Sequence, residues 1–184
     1  MTVVSMLRAV NLASHNRVKM DALRALYESL GFSDVQTYVQ SGNIIFRTKD
    51  AELVRLRKRI EDAIERTFTF RPAVILRTTS DLRNVIAKNP FAKRRGIDPS
   101  RLLVTFLASE PSPEAREKVL AIQADPEELK IDGRELYIYF ANGLARPKLS
   151  IPRLEKTLQT SGTGRNWNTV TKLLEIAERL EASH

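Results

Sequence analysis

Thr37-Tyr-Val-Gln-Ser-Gly-Asn-Ile-Ile-Phe46 carries apolar runs on either side of Ser41-Gly42. The pattern reads as two antiparallel strands joined by a tight hairpin, with glycine supplying the backbone freedom the turn needs. Working outward, Val3 to Leu7 is a first strand, followed by a long polar and basic connection from Arg8 to Lys19. Met20, Leu23, Leu26, Tyr27 and Leu30 recur at helical spacing, and Gly31-Phe32 stops that helix. Beyond the hairpin, Asp50 can cap a helix whose inner face is Leu53, Leu56, Ile60, Ile64 and Phe68. Arg55, Arg57, Lys58 and Arg59 lie largely off that face. Pro72 to Arg77 is a fourth strand. The order is βαββαβ, the ferredoxin-like unit.

The remainder repeats this order imperfectly. Ser80 to Lys88 reads as a linking helix and Phe91 to Pro99 as a basic loop. Leu102 to Leu107 is a strand, Pro113 to Ile122 a helix, and Leu129 to Ile131 and Leu136 to Phe140 a hairpin closed by Asp132-Gly133. Leu149 to Leu158 is a short helix interrupted near Pro152, and no fourth strand is evident. A final helix carries Trp167, Val170, Leu173, Leu174, Ala177 and Leu180, with Asn166 or Asn168 as its cap. The expected fold is therefore α+β, with tandem ferredoxin-like units over residues 1–79 and 80–184. The second copy is imperfect and ends in an extra C-terminal helix.

The chain has 184 residues, 42% hydrophobic and 28% charged, as in ordinary globular proteins. It contains no cysteine, so a disulfide frame and thiolate chemistry are excluded, in keeping with a cytoplasmic setting. Neither a signal peptide nor a membrane span of roughly 20 apolar residues is expected. The net charge is +8, concentrated in the first half. Such an excess suits an anionic partner, although solubility alone also accounts for it.

Topology brings candidate functional residues together. In a βαββαβ unit the right-handed crossover makes the first two strands parallel, with the third between them. The end of the first strand, the hairpin turn and the segment Thr69-Phe70-Arg71 then share one rim. Arg8, Asn11, Arg17, Lys19, Gln40, Ser41, Asn43 and Arg71 are expected neighbours there, beside the start of the first helix, whose unpaired N–H groups suit an anion. Arg165-Asn166-Trp167-Asn168-Thr169 is read as opening the last helix, either as a plain capped start with a core tryptophan or as a second helix N-terminus that brings Arg165 to the same anion.

Elsewhere the signals are weaker. His15 has no second histidine or cysteine to share a metal with and reads as a solvated loop residue, and the terminal His184 as a frayed end. Lys93-Arg-Arg95 and Arg55 to Arg59 read as solvated charge runs. Glu127-Glu128 has no spaced carboxylate partner. P-loop, dinucleotide and nucleophile-elbow motifs are missing, so no cofactor and no metal are expected.

Leu7-Arg8-Ala-Val-Asn11, Arg17-Val-Lys-Met20, Gly31-Phe32, Thr37 to Asn43, Gly133-Arg-Glu-Leu-Tyr137 and Arg165 to Val170 together resemble bacterial domain-of-unknown-function family 1697. The resemblance spans nearly the whole chain; the hairpin and final-helix motifs are its most specific parts. It implies ferredoxin-like α+β units and supplies no reaction. Carried over by position, the family's marked polar residues fall on Arg8, Asn11, Lys19, Ser41, Asn43, Arg165, Asn166 and Asn168. The family pattern Arg-Gly-Ile-Asn-Val-Gly-Gly is replaced here by Arg8-Ala-Val-Asn-Leu-Ala-Ser14, losing three glycines that would allow close backbone approach to a ligand. Pro147 stands where serine is expected, beside a matching Lys148.

The functional expectation is a non-enzymatic module that binds an anionic ligand, nucleic acid or a phosphate-bearing small molecule, without membrane involvement. The site would be the rim of the first loop, the Ser41-Gly42 hairpin and the last helix start. The alternatives are an enzyme acting on a phosphorylated or acidic small molecule, with Lys19 or Arg165 stabilising charge, and a structural or assembly protein. The continuous apolar runs Val74 to Leu76, Ile44 to Phe46 and Leu102 to Val104 further predict sheets buried on both faces.

Overall fold

A computed structural model describes residues 1–12, 16–145 and 147–183. Two compact units emerge: Met1–Arg83 together with Lys172–His184, and Asn84–Thr171. Each contains a four-stranded antiparallel sheet.

In the first unit the elements are β1 (Thr2–Leu7), α1 (Met20–Ser29), β2 (Ser33–Tyr38), β3 (Asn43–Arg47), α2 (Leu53–Phe68) and β4 (Val74–Thr78). The sheet order is β2-β3-β1-β4. Thr2 pairs with Arg47 at one end of β1 and Met6 with Asn43 at the other. Because β1 and β2 both run antiparallel to β3, they are parallel to each other, as the crossover rule requires. α1 buries Met20, Leu23 and Tyr27, one turn or two apart, and Gly31 at φ +80° ends its final turn. α2 buries Leu56, Ile60, Ala63 and Ile64, while Leu53 and Phe68 pack at the core's margin. Asp50 does not cap α2. Its carboxylate accepts from the Glu52 N–H at 3.1 Å, which fixes the turn before the helix.

Alternation along the strands places Val3, Leu7, Ile44, Phe46, Val74 and Leu76 in one core with the helices. Val4, Met6, Ile45 and Ile75, on the other face, are buried as well. Both faces of β1, β3 and β4 are thus covered, as their unbroken apolar runs require.

α3 (Thr79–Ala87) leaves β4 directly, and Thr78 and Asp81 cap it reciprocally: the Asp81 carboxylate accepts from the Thr78 N–H at 2.8 Å and the Thr78 hydroxyl from the Asp81 N–H at 3.1 Å. The second unit then runs through β5 (Leu102–Leu107), α4 (Pro113–Leu120), β6 (Glu128–Asp132), β7 (Glu135–Tyr139), α5 (Ile151–Leu158) and β8 (Gly162–Asn166). Its order, β6-β7-β5-β8, repeats the first sheet. A fourth strand therefore exists where sequence reading found none. β8 is Gly-Thr-Gly-Arg-Asn, with no apolar run to signal it. Its glycines serve packing: a Cβ on Gly162 would lie 2.7 Å from the Thr105 side chain and 2.9 Å from the Phe106 carbonyl oxygen. The β6–β7 turn centres on Gly133-Arg134, one residue later than expected, since Asp132 pairs with Glu135. Pro152 does not interrupt α5. It sits in the first turn, where no intrahelical N–H bond is lost, behind a Ser150 cap. The final helix α6 (Trp167–Ala182) leaves β8 directly and buries Val170, Leu173, Ile176, Ala177 and Leu180. Trp167 itself is only half-buried. No helix among the described residues is long and apolar enough to cross a membrane.

Candidate functional site

The rim of the first unit is built by the ends of three strands. The Leu7 N–H donates to the Gly42 carbonyl at 2.8 Å and the Arg8 N–H to the Ala73 carbonyl at 2.9 Å, which joins the end of β1 to the hairpin turn and to the approach of β4. Gly42 has φ +78°, and a Cβ there would stand 3.0 Å from the Leu7 Cβ. Glycine is required twice over, by conformation and by space.

Asn11 holds this rim together. Its amide donates to the Val18 carbonyl at 3.0 Å and the Gln40 carbonyl at 2.8 Å, while its Oδ1 accepts from the Val18 N–H at 2.8 Å. One side chain thus closes the first loop on itself and ties it to the hairpin. Asn16 reinforces the closure: its amide donates to the Ala9 carbonyl, and its carbonyl accepts from the Asn11 N–H at 3.1 Å. Asn43 is fully buried and braces the hairpin, donating to the Tyr38 carbonyl and the Ser41 hydroxyl, both at 3.0 Å.

The rim backbone is strained. Ala9, Asn11, Asn16 and Val39 all have φ between +50° and +57°. Asparagine tolerates this region, whereas β-branched valine rarely enters it. Ala9 occupies a position where the family motif has glycine, and it keeps the left-handed conformation without glycine's freedom. Ala13, Ser14 and His15 lie outside the described residues, as does His184.

A cavity of about 560 Å³ opens at this rim, lined by Asn11, Arg17, Val18, Lys19 and Gln40. Lys19 immediately precedes α1, whose first turn has no side-chain cap. Its amide groups there lack the partner that a capping serine or aspartate would give them. Arg17, Lys19, Gln40 and Ser41 are exposed, Arg8 is half-buried, and Leu12 and Val39 show apolar surface beside them.

Arg71 departs from expectation. It is held by carboxylates from the adjoining helix, at 2.6 Å from Asp62, 2.7 Å from Glu65 and 3.3 Å from Glu61. These acids precede Arg71 by six to ten residues, and helical periodicity gathers them onto it. Hydrogen bonds to Asp62 and Glu65 hold its pKa well above the usual guanidinium range, and those from Lys58 and Arg71 hold Asp62 below the usual carboxylate range. Arg71 is a structural cation, not a spare charge for a ligand.

Arg165 also differs. It belongs to β8, pairs with Val104, and precedes the last helix rather than opening it. Its guanidinium is buried, donating to the Thr163 hydroxyl at 2.7 Å and the Gly164 carbonyl at 2.9 Å, and burial pushes its pKa down to about 10. In the first unit, Arg77 sits fourth in β4, as Arg165 does in β8, pairs with Val4 and is likewise buried. Asn166 caps α6, accepting from the Asn168 N–H at 2.9 Å and donating to the Ser100 carbonyl at 2.7 Å. Asn168 is exposed.

Sequence reading gave Glu127 no acid/base role and did not foresee its burial. It is 6% exposed, and its Oε2 has no hydrogen-bond partner among the described residues. Its neighbour Glu128 pairs with Arg94, which also lies over the Tyr139 ring. No group of histidine, cysteine and carboxylate side chains suited to a metal ion occurs among the described residues.

Two antiparallel sheets in the ferredoxin-like strand order, with an added C-terminal helix, define a tandem ferredoxin-like α+β protein. The chain belongs to the family described as Protein of unknown function (DUF1697), whose model matches residues 1–137. Its structure is similar to that of the conserved bacterial protein SP0830 from Streptococcus pneumoniae, with a TM-score of 0.72 and 21% sequence identity over 96% of this chain and 98% of that one. That likeness supports the fold. No curated protein matches the sequence.

Proposed function

We propose that the chain is a non-enzymatic module that binds an anionic ligand, a nucleic acid or a phosphate-bearing small molecule, at the rim of its first unit. The observation that carries this reading is the cavity lined by Asn11, Arg17, Val18, Lys19 and Gln40. Two cations and the Gln40 side chain stand there beside the uncapped start of α1, Asn11 holding the loop closed, and charge-assisted hydrogen bonds to an anion are stronger than neutral ones. The strained, cross-linked backbone favours a preformed site, since such conformations persist only where the surroundings hold them. Arg165, Asn166 and Asn168 contribute less to the reading, because Arg165 is buried and Asn166 is engaged as a cap.

The test is a titration of wild type and Lys19→Ala with a short RNA, a short DNA and a nucleotide panel at low salt. Loss of a charge-assisted contact worth about 1.5–3 kcal/mol lowers affinity by roughly ten-fold or more. Absence of binding to every probe, or equal affinity in both proteins, refutes the rim site and leaves the assembly protein as the leading reading.

A further inference from the structure

At the other end of the first sheet, where Thr2 pairs with Arg47, lies a second concentration of positive charge. A groove of about 740 Å³ runs between the end of α1, residues Leu30 to Asp34, and the segment Arg47 to Asp50 that leads into α2. Arg59 lines it too, and also lines a shallower depression of about 310 Å³ with Arg55, Lys58, Asp62 and Arg66. The two hollows share Arg59 in their walls.

Arg59 is fixed in place: its guanidinium donates to the Leu30 carbonyl and stands 5.4 Å from the centroid of the Phe32 ring. Acids in this region are engaged. Asp34 lies 3.8 Å from Arg47, Asp50 accepts from the Glu52 N–H, and Asp62 is shared by Lys58 and Arg71. Lys49, Arg55 and Arg66 are exposed and make no ion pair among the described residues. Arg55 stands in the first turn of α2, behind an acidic N-cap, Glu52, and Arg57, Lys58 and Arg59 follow in the second turn.

We infer that the exposed face of α2, with the adjoining groove, is a docking surface for the phosphate backbone of a nucleic acid. The surface is a line: Arg55, Arg59 and Arg66 are spread along about 16 Å of helix. A polymer of phosphates matches such a line, whereas a small phosphate covers one or two of its cations. Phe32, the aromatic residue in the groove, lies buried beneath Arg59, so the surface offers charge rather than a stacking platform. Binding is accordingly independent of base sequence. A lipid surface fits less well, because an in-plane amphipathic helix inserts its apolar face, and that of α2 is occupied by the core. The groove lies at the opposite end of β1 from the rim, and α2 runs from it back toward Thr69.

The experiment compares wild type with Lys49→Glu/Arg55→Glu/Arg66→Glu and with a charge-matched control, Lys93→Glu/Lys130→Glu/Lys156→Glu, whose residues are exposed in the second unit. Fluorescence anisotropy with labelled 20-nucleotide single strands and 20-base-pair duplexes of mixed sequence is read from 50 to 200 mM salt, and circular dichroism checks folding. The first variant is expected to lose at least ten-fold in affinity, and its salt slope to fall by about two to three, while the control loses less than three-fold. Because no ion pair among the described residues is broken by these substitutions, misfolding is not expected; Arg55→Glu alone, with at least a two-fold loss, provides a milder second reading. Equal losses in both triple variants reduce the effect to net charge and overturn the proposal. So does the absence of nucleic-acid binding by wild type at 50 mM salt, or tighter binding to phosphatidylserine vesicles. Retention of the ten-fold loss in a Lys19→Ala background separates this surface from the rim.

Discussion

Asn11 offers the sharpest test of how the rim is held. Replacing it with alanine removes three side-chain hydrogen bonds, two to Val18 and one to Gln40. Each contributes about 0.5–1.5 kcal/mol net, and partial exposure places these toward the lower end. Alanine must also adopt φ +57°, which asparagine enters more readily, at a cost of about 1 kcal/mol. The expected loss for Asn11→Ala is about 2–3 kcal/mol. Asn11→Gly loses the same bonds but avoids the conformational strain, so it should be milder by about 1 kcal/mol. Urea denaturation followed by far-ultraviolet circular dichroism measures both. Amide exchange locates the effect, with protection falling at Val18 and at the hairpin while the β1–β4 ladder stays closed. Losses below about 0.5 kcal/mol in both variants, with unchanged exchange at Val18, would show that the asparagine clamp does not operate in solution.

Three further outcomes are expected. Ala9→Gly, which relieves a left-handed alanine at φ +56°, should raise stability by about 0.5–1 kcal/mol in the same denaturation assay. Tyr27 is fully buried against the Ser5 hydroxyl at 2.8 Å, and burial raises its pKa above the ordinary value of 10. The folded state thus resists ionisation, and stability present below pH 10 is lost as pH rises beyond it; Tyr27→Phe should flatten that alkaline loss while costing about 1 kcal/mol at neutral pH. Asp62, whose pKa is lowered by Lys58 and Arg71, favours the fold above the usual carboxylate range and loses that contribution as pH falls through its depressed value. Arg71→Ala should move the Asp62 titration, followed by carboxyl NMR shifts, partway back toward the ordinary carboxylate value, with Lys58 holding the remainder.

Much of the fold was legible because side-chain period follows backbone geometry. Met20, Leu23 and Tyr27 mark the buried stripe of α1, and the runs in β1, β3 and β4 mark strands covered on both sides. The hairpin at Ser41-Gly42, with the right-handed crossover rule, was enough to join the end of β1 to the turn. Local pattern could not reveal β8, whose glycines are chosen by the closeness of β5 rather than by strand propensity. Nor could it tell which cations are spoken for. Arg71 is neutralised by acids that helical winding carries to it, and Arg165 is drawn into a strand interior, whereas Lys19 stays exposed. Charge is written in the sequence residue by residue, but its availability depends on distances across the fold, and electrostatic energy varies inversely with those distances. Sequence alone therefore determined the elements of the first unit, their order and the strand ends that meet at the rim, while the tertiary structure decided the last strand of the second unit and which cations are drawn into ion pairs or the interior.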